Sequence, residues 1–208
     1  MLLKRDDFYS MLNSVADIWE ENYMLLCDID SRFGDGDHGV TIRKIANLIK
    51  EKLAIWNEET SIGKFIVDLG MSVVEIGGGS AGPLYGTMIG GFGYPIIEKN
   101  EIDGKLLVEM FDSSLTEMEC ITTAKCGDKT MMDALIPAVK SIQGMDGSPI
   151  ELLKIAAEAA EKGADDSRNM ISKFGRARSY GDQTIGTPDA GAVSTSLFFK
   201  GIYEGIKK

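Results

Sequence analysis

Apolar residues recur every three or four positions along most of the chain. Phe8, Leu12, Val15, Trp19 and Leu26 make one stripe, and Ile42, Ile45, Leu48, Ile49 and Leu53 make a second. Ile62, Phe65, Ile66, Leu69 and Val73 make a third. This period places each set on one face of an α-helix. Further helical patterns cover 104–121, 131–143, 150–173 and 190–206. Period-two alternation is scarce and β-hairpin signals are absent. The pattern predicts an all-α chain of about eight helices in one domain over 1–208, with no linker and no fixed repeat.

One stretch tests that reading. Residues 76–97 (IGGGSAGPLYGTMIGGFGYPII) carry no charge over 22 positions, long enough to cross a bilayer. Eight of the 22 are glycine and two are proline, so a buried helix is expected instead of a membrane span. Gly82, Gly86 and Gly90 fall four apart on one face, which lets another helix backbone approach closely.

Four glycine-rich or charged turns separate the helices: FGDGDHG, IGGGSAGP, KCGDKTMMD and FGRARSYGDQTIGTPDAG. They follow the first, third, fifth and seventh predicted helices. In an antiparallel bundle, connections after odd-numbered helices share one end. All four turns are therefore expected together, at the end where a ligand site would be assembled.

Composition narrows the chemistry. The 208 residues carry a formal net charge of −10, the wrong sign for a long nucleic-acid surface. Three cysteines (Cys27, Cys120 and Cys126) have no zinc-like or disulfide-framework spacing, and reduced cytosolic thiols fit them. The start, MLLKRDDFYS, has no apolar run of signal-peptide length. A cytoplasmic protein with no membrane and no nucleic-acid partner is expected.

Two windows match G-x-G-x-x-G, at Gly34-Gly36-Gly39 and Gly77-Gly79-Gly82, but neither follows a strand as a dinucleotide fingerprint must. GDKT lacks the upstream glycine of a P-loop, and the acidic turn lacks the closing glutamate of an EF-hand. Asp30, Asp35 and Asp37 around Gly34 and Gly36 do suit a hard, oxygen-seeking cation such as Mg²⁺. A solvated, helix-capping acidic loop is the alternative. HGVT then opens the second helix, whose first N–H groups could hold phosphate oxygens. IGGGSAGP allows a ligand close to backbone, or is simply a turn before a helix. Asp128 or Thr130 could cap the sixth helix and Asp189 the last, while Arg176 could balance phosphate charge. For His38, the only histidine, a capping or ligand-contact role is favoured over a phosphorylated or general-base one.

Together the turns resemble the L subunit family of dihydroxyacetone kinase. Asp30 followed by GDGDHG, GPLYGT at 82–87, GDKTM at 127–131 and the GRA…IG…D…GA series at 175–192 lie in the family order. The resemblance implies a barrel of about eight antiparallel helices with the nucleotide site at one end. It implies Mg²⁺ on Asp30, Asp35 and Asp37, and phosphates lined by His38, Gly39, Val40 and Thr41. It further implies ADP or ATP against Gly79, Ser80, Ala81, Thr122, Met131 and Arg176, with Asp189, Ala190 and Gly191 completing the pocket. Its implied partners are a K subunit carrying the ketone and an M subunit of the phosphotransferase system, and it allows a homodimer. The chain departs from the family pattern at Ala81, usually serine, and at Thr122-Thr123, usually paired glycines. TPDAG replaces an HPDPG-type segment, and GRARSYGDQ replaces a GRAS-type one. The implied activity is a phosphotransferase half-enzyme, since no second histidine is present to fix a ketone covalently. A kinase subunit for another small keto-sugar and a non-catalytic nucleotide sensor docking on a regulator are the alternatives.

Overall fold

Eight α-helices form where the apolar period places them: α1 (Arg5–Asp30), α2 (His38–Ala54), α3 (Ile62–Val74), α4 (Ala81–Gly93), α5 (Gly104–Ile121), α6 (Met132–Ile142), α7 (Pro149–Asp166) and α8 (Ala190–Ile206). The computed structural model describes residues 1–77 and 79–207; Gly78 of the glycine-rich turn and Lys208 lie outside the described residues. Helices adjacent in sequence pack against each other around a ring, and α8 closes the ring on α1. The contacts of α2 with α3 and of α5 with α6 are the lightest of the ring. No strand occurs among the described residues; one isolated antiparallel bridge joins Leu3 to Ile102.

The predicted stripes line the inside of the barrel. Trp19, Ile42, Ile45, Ile49, Ile62, Leu69 and Val73 are fully or almost fully buried, and Leu48 sits at the margin. Aromatic rings fill the middle, with Trp19 edge-on to Tyr85 at 5.4 Å and Phe198 edge-on to Phe199 at 5.5 Å. The indole of Trp19 donates to the Ser194 carbonyl at 2.8 Å, so its one polar atom is satisfied in the core.

The uncharged stretch 76–97 becomes the buried helix α4, followed by a 3₁₀ turn at Tyr94–Ile96. No described helix is long and apolar enough to cross a membrane. The glycine face of α4 meets α3. A Cβ at Gly86 would lie 2.6 Å from the Val74 nitrogen, and one at Gly70 would lie 2.5 Å from the Gly90 Cα. The one long overshoot concerns α7, expected to continue to 173 but ending at Asp166. Ser167 donates its hydroxyl to the Ala164 carbonyl and accepts from the Asp189 N–H, which turns the chain toward the start of α8. Ile171 and Phe174 keep helical spacing in sequence but belong to the irregular segment beyond.

The two ends of the barrel differ in how helix starts are satisfied. At the end where α1, α3, α5 and α7 begin, side chains take up first-turn N–H groups. Ser61 accepts from the Lys64 N–H and Asp103 from the Leu106 N–H, while Asp7 and Glu151 accept from Lys4 and Ser148. At the other end, the N-cap residues of α2, α4 and α6 (Asp37, Ser80 and Met131) make no side-chain cap hydrogen bond; only Asp189, at α8, does.

The α3–α4 contact can be tested by two alanines on the same interface. Gly70→Ala drives a methyl into backbone and should destabilise the fold by about 1–3 kcal/mol. Gly90→Ala meets only the Gly70 Cα, at 3.7 Å. It should leave stability unchanged or raise it by up to about 1 kcal/mol through helix propensity. Urea denaturation of the two variants reads the difference; equal stabilities would contradict the backbone contact.

Candidate functional site

The connections after α1, α3, α5 and α7 do converge. All four contribute to one cavity of about 440 Å³, within the usual range for a small-molecule site. Among the described residues, those lining it include Asp30, Asp35, Asp37, His38, Gly79, Ser80, Ala81, Met131, Arg176, Asp189, Ala190 and Gly191. Twelve of the sixteen residues singled out from the sequence thus meet in one place. Gly39, Val40, Thr41 and Thr122 are not among the lining residues. Gly39 is buried where α2 crosses α1, since a Cβ there would lie 1.9 Å from the Tyr23 carbonyl oxygen. Thr41 is buried and Val40 half-buried within the first turns of α2. Thr122 ends α5, and its hydroxyl accepts from the Ala124 N–H.

The acidic turn is built around Asp30, the last residue of α1. Its carbonyl accepts from the Gly34 N–H at 2.6 Å, and its carboxylate accepts from the Gly36 N–H at 2.9 Å. Gly36 has φ +75°, which makes the bend available at little steric cost. Oxygens of Asp30, Asp35 and Asp37 lie within 4.8 Å of one another. Three carboxylates this close offer an all-oxygen donor set that could hold a hard divalent cation. The Asp37 side chain makes no cap hydrogen bond, whereas the Asp30 carboxylate accepts from the His38 N–H at 3.4 Å, so the acidic turn also serves the start of α2. Arg176, from the α7–α8 connection, forms an ion pair with Asp35.

The floor of the cavity is a polar network. The His38 Nε2 lies 2.8 Å from the Ser194 hydroxyl, which donates to the Ala190 carbonyl. The Tyr85 hydroxyl lies 2.6 Å from that of Ser194 and 2.8 Å from that of Thr195. Burial lowers the His38 pKa to about 4, against the pull of Asp30, so the ring is neutral at pH 7. Burial likewise pushes the Asp189 carboxyl up to about 7, with the Ala192 N–H holding it down. Asp189 is thus the N-cap the sequence suggests, its carboxylate accepting from Ala192 at 2.8 Å.

At the α5–α6 turn one of the two expected caps is present: the Thr130 hydroxyl accepts from the Met132 N–H that opens α6. Asp128 does not cap α6; it accepts from the Lys125 N–H at 2.8 Å and pairs with Lys173. Buried Asp133 gathers the N–H groups of Gly127 and Thr130. Lys129, overlooked in the sequence, is buried between these and lines the cavity. Tyr85 and Ser194 were also missed, because each occupies a core-facing position that periodicity assigns to packing. Four carboxylates (Asp30, Asp35, Asp37 and Asp189) thus line the cavity, against two cationic side chains, Lys129 and Arg176.

The comparisons with known proteins agree with this arrangement. The family model of the DAK2 domain matches residues 32–204. The ADP-binding subunit DhaL of PEP-dependent dihydroxyacetone kinase 2 from Listeria innocua is 31% identical over 207 residues, covering 97% of this chain and 94% of that protein. The L-erythrulose kinase of Pectobacterium atrosepticum is 29% identical over 197 residues, covering 92% of this chain but 33% of that protein. The crystal structure of the C. freundii dihydroxyacetone kinase in complex with AMP-PNP and Mg²⁺ superposes with a TM-score of 0.72 at 24% identity. That match covers 94% of this chain and 33% of that one, and it shows the same all-helical fold. These relatives are kinases or subunits of kinases. Matched by the family model from the acidic turn to the end of α8, the chain belongs to the DAK2 domain family.

Proposed function

We propose that the chain is the nucleotide- and Mg²⁺-binding subunit of a dihydroxyacetone kinase of the cytoplasm. In this reading a separate K subunit holds dihydroxyacetone, phosphoryl passes to it from ATP bound here, and an M subunit of the phosphotransferase system restores ATP from bound ADP. The observation that carries the reading is the convergence of Asp30, Asp35 and Asp37 on the rim of a cavity fed by four turns. The near-full-length likeness to an ADP-binding subunit supports it.

The residues divide the work by charge. Asp30, Asp35 and Asp37 would hold Mg²⁺, which when bound neutralises phosphate charge and aligns the transferred group. The N–H groups that open α2, at His38, Gly39 and Val40 with Thr41 behind them, and those of Gly79, Ser80 and Ala81 before α4, would face phosphate oxygens. Arg176 brings a cation to the same rim. Met131, Ala190 and Gly191 offer apolar and backbone surface, with Thr122 behind the α5–α6 turn. Nothing in this set grips a small ketone, so the acceptor comes with a partner. The erythrulose kinases among the relatives favour a second reading, in which the same subunit serves a four-carbon keto-sugar. Assaying the purified native complex with dihydroxyacetone and with D- and L-erythrulose separates the two.

The aspartates give the first test of this function. Asp35→Ala and Asp37→Ala should each weaken ADP binding in Mg²⁺ by about 100-fold, or about 2.7 kcal/mol, with helicity retained. Unchanged calorimetric affinity in both variants would overturn the metal assignment.

The two ligands should also act together on stability. Mg²⁺ with ADP at 100 times its Kd should stabilise the fold by about 2.7 kcal/mol. For a chain of this size that is about 5–10 °C in Tm. ADP alone should do much less, because bare carboxylates repel the pyrophosphate. A full shift with ADP and no divalent metal would show that no metal bridges them.

Finally, the isolated chain with Mg²⁺ and ATP should phosphorylate no keto-sugar until a cognate K subunit is added. Dihydroxyacetone phosphorylation by the pure chain at the rate of the assembled system would refute the divided-enzyme reading.

A further inference from the structure

The connection from α7 to α8, residues 167–189, forms one wall of the cavity through Ser172, Phe174, Arg176 and Asp189. Its regular structure is limited to 3₁₀ turns, Ser167–Asn169 and Arg176–Thr184, the second kinked at Gly181. Gly175, Gly181 and Gly186 adopt positive φ, and a Cβ at any of them would meet no atom within 4 Å. Its own bonds between the limbs run from the Ser172 N–H to the Thr184 hydroxyl, from the Gly186 N–H to the Arg168 carbonyl and from the Asp189 N–H to the Ser167 hydroxyl.

Asp35, Asp128 and Phe33 touch it at Arg176, Lys173 and Tyr180, and one side chain from elsewhere reaches both of its limbs. The ammonium of Lys129 donates to the carbonyls of Met170 at 3.1 Å, Thr184 at 2.5 Å and Thr187 at 2.6 Å. These acceptors lie on both limbs of the connection. The ammonium has three donors and all are used. Lys129 is buried and is the one described residue other than glycine with positive φ, at 60°. That backbone conformation is sparsely populated and persists only where surroundings enforce it. Here Asp133 does so, by accepting from Gly127 and Thr130 on either side of Lys129.

We propose that Lys129 is the positioning residue of the site. Its ammonium, held by a strained turn, draws the two limbs of the 167–189 connection together and so sets Arg176 and Asp189 against the cavity. It acts as a fixed internal cation in a cage of carbonyls and takes no part in contacting the phosphates. Its effect on nucleotide binding rests on the proposed function, whereas its effect on the connection does not.

The experiment uses the full chain with Lys129→Met, which keeps most of the side-chain length and removes the charge, and Lys129→Ala, which empties the cage. Hydrogen exchange without any ligand reads the connection directly. Amides of 168–187 should exchange at least tenfold faster in both variants, while those of α1 to α4 keep their wild-type protection. Propylammonium should restore protection to Lys129→Ala but not to Lys129→Met, whose side chain fills the space. ADP affinity in Mg²⁺ should fall and recover in parallel. Unchanged exchange over 168–187, loss of protection spread evenly along the chain, or no rescue by propylammonium would each overturn the assignment. If the wild type binds no ADP, the proposed function fails while the exchange result still decides the role of Lys129.

Discussion

Closure of α8 onto α1 is the contact on which the architecture depends. A ring of antiparallel helices closes only if the last runs against the first, and an even number of helices satisfies that. The seam is made by backbone proximity. A Cβ at Gly201 would lie 2.6 Å from the Val15 Cα, and one at Gly205 would lie 2.5 Å from the Met11 Cα. Trp19 completes the seam by donating across it to Ser194. Once the ring is closed, every second connection must appear at the same end, and separate stretches of sequence become one wall.

Charge then decides what that end can hold. Its carboxylates outnumber its cations, and one of the two cations is fully engaged by carbonyls. Such a lining repels a polyanion unless a cation offsets its charge. The starts of α2, α4 and α6, whose N-cap side chains make no cap hydrogen bond, turn the partial positive charge of their first N–H groups toward the same end. The opposite end, where side chains satisfy the helix starts, offers no comparable attraction.

Much of this was legible in the sequence because it obeys a period or a parity. Apolar stripes at three and four residues located the helices, and turn order located the site. Asp30, Asp35 and Asp37 were visible as carboxylates too dense to ignore. What failed to show were residues whose role depends on a partner far along the chain. Lys129 meets carbonyls more than 40 residues away, and its positive φ leaves no mark on composition. Tyr85 and Ser194 are 109 residues apart and read as ordinary core positions. The end of α7 was misplaced for a related reason: Ile171 and Phe174 have helical spacing, but Ser167 redirects the backbone through a bond to Asp189. Gly39 also lets α2 cross α1 closely, a packing role that the glycine count of the turn does not reveal.

The parity that gathers the turns at one end also sends both chain ends to the other. α1 begins and α8 finishes on the face away from the cavity. α1 has 26 residues and is therefore about 39 Å long. A domain joined covalently to either terminus would emerge a full barrel length from the site. To bring its own bound molecule there it would need a tether of about a dozen extended residues, or it would serve the cavity of a neighbouring chain instead.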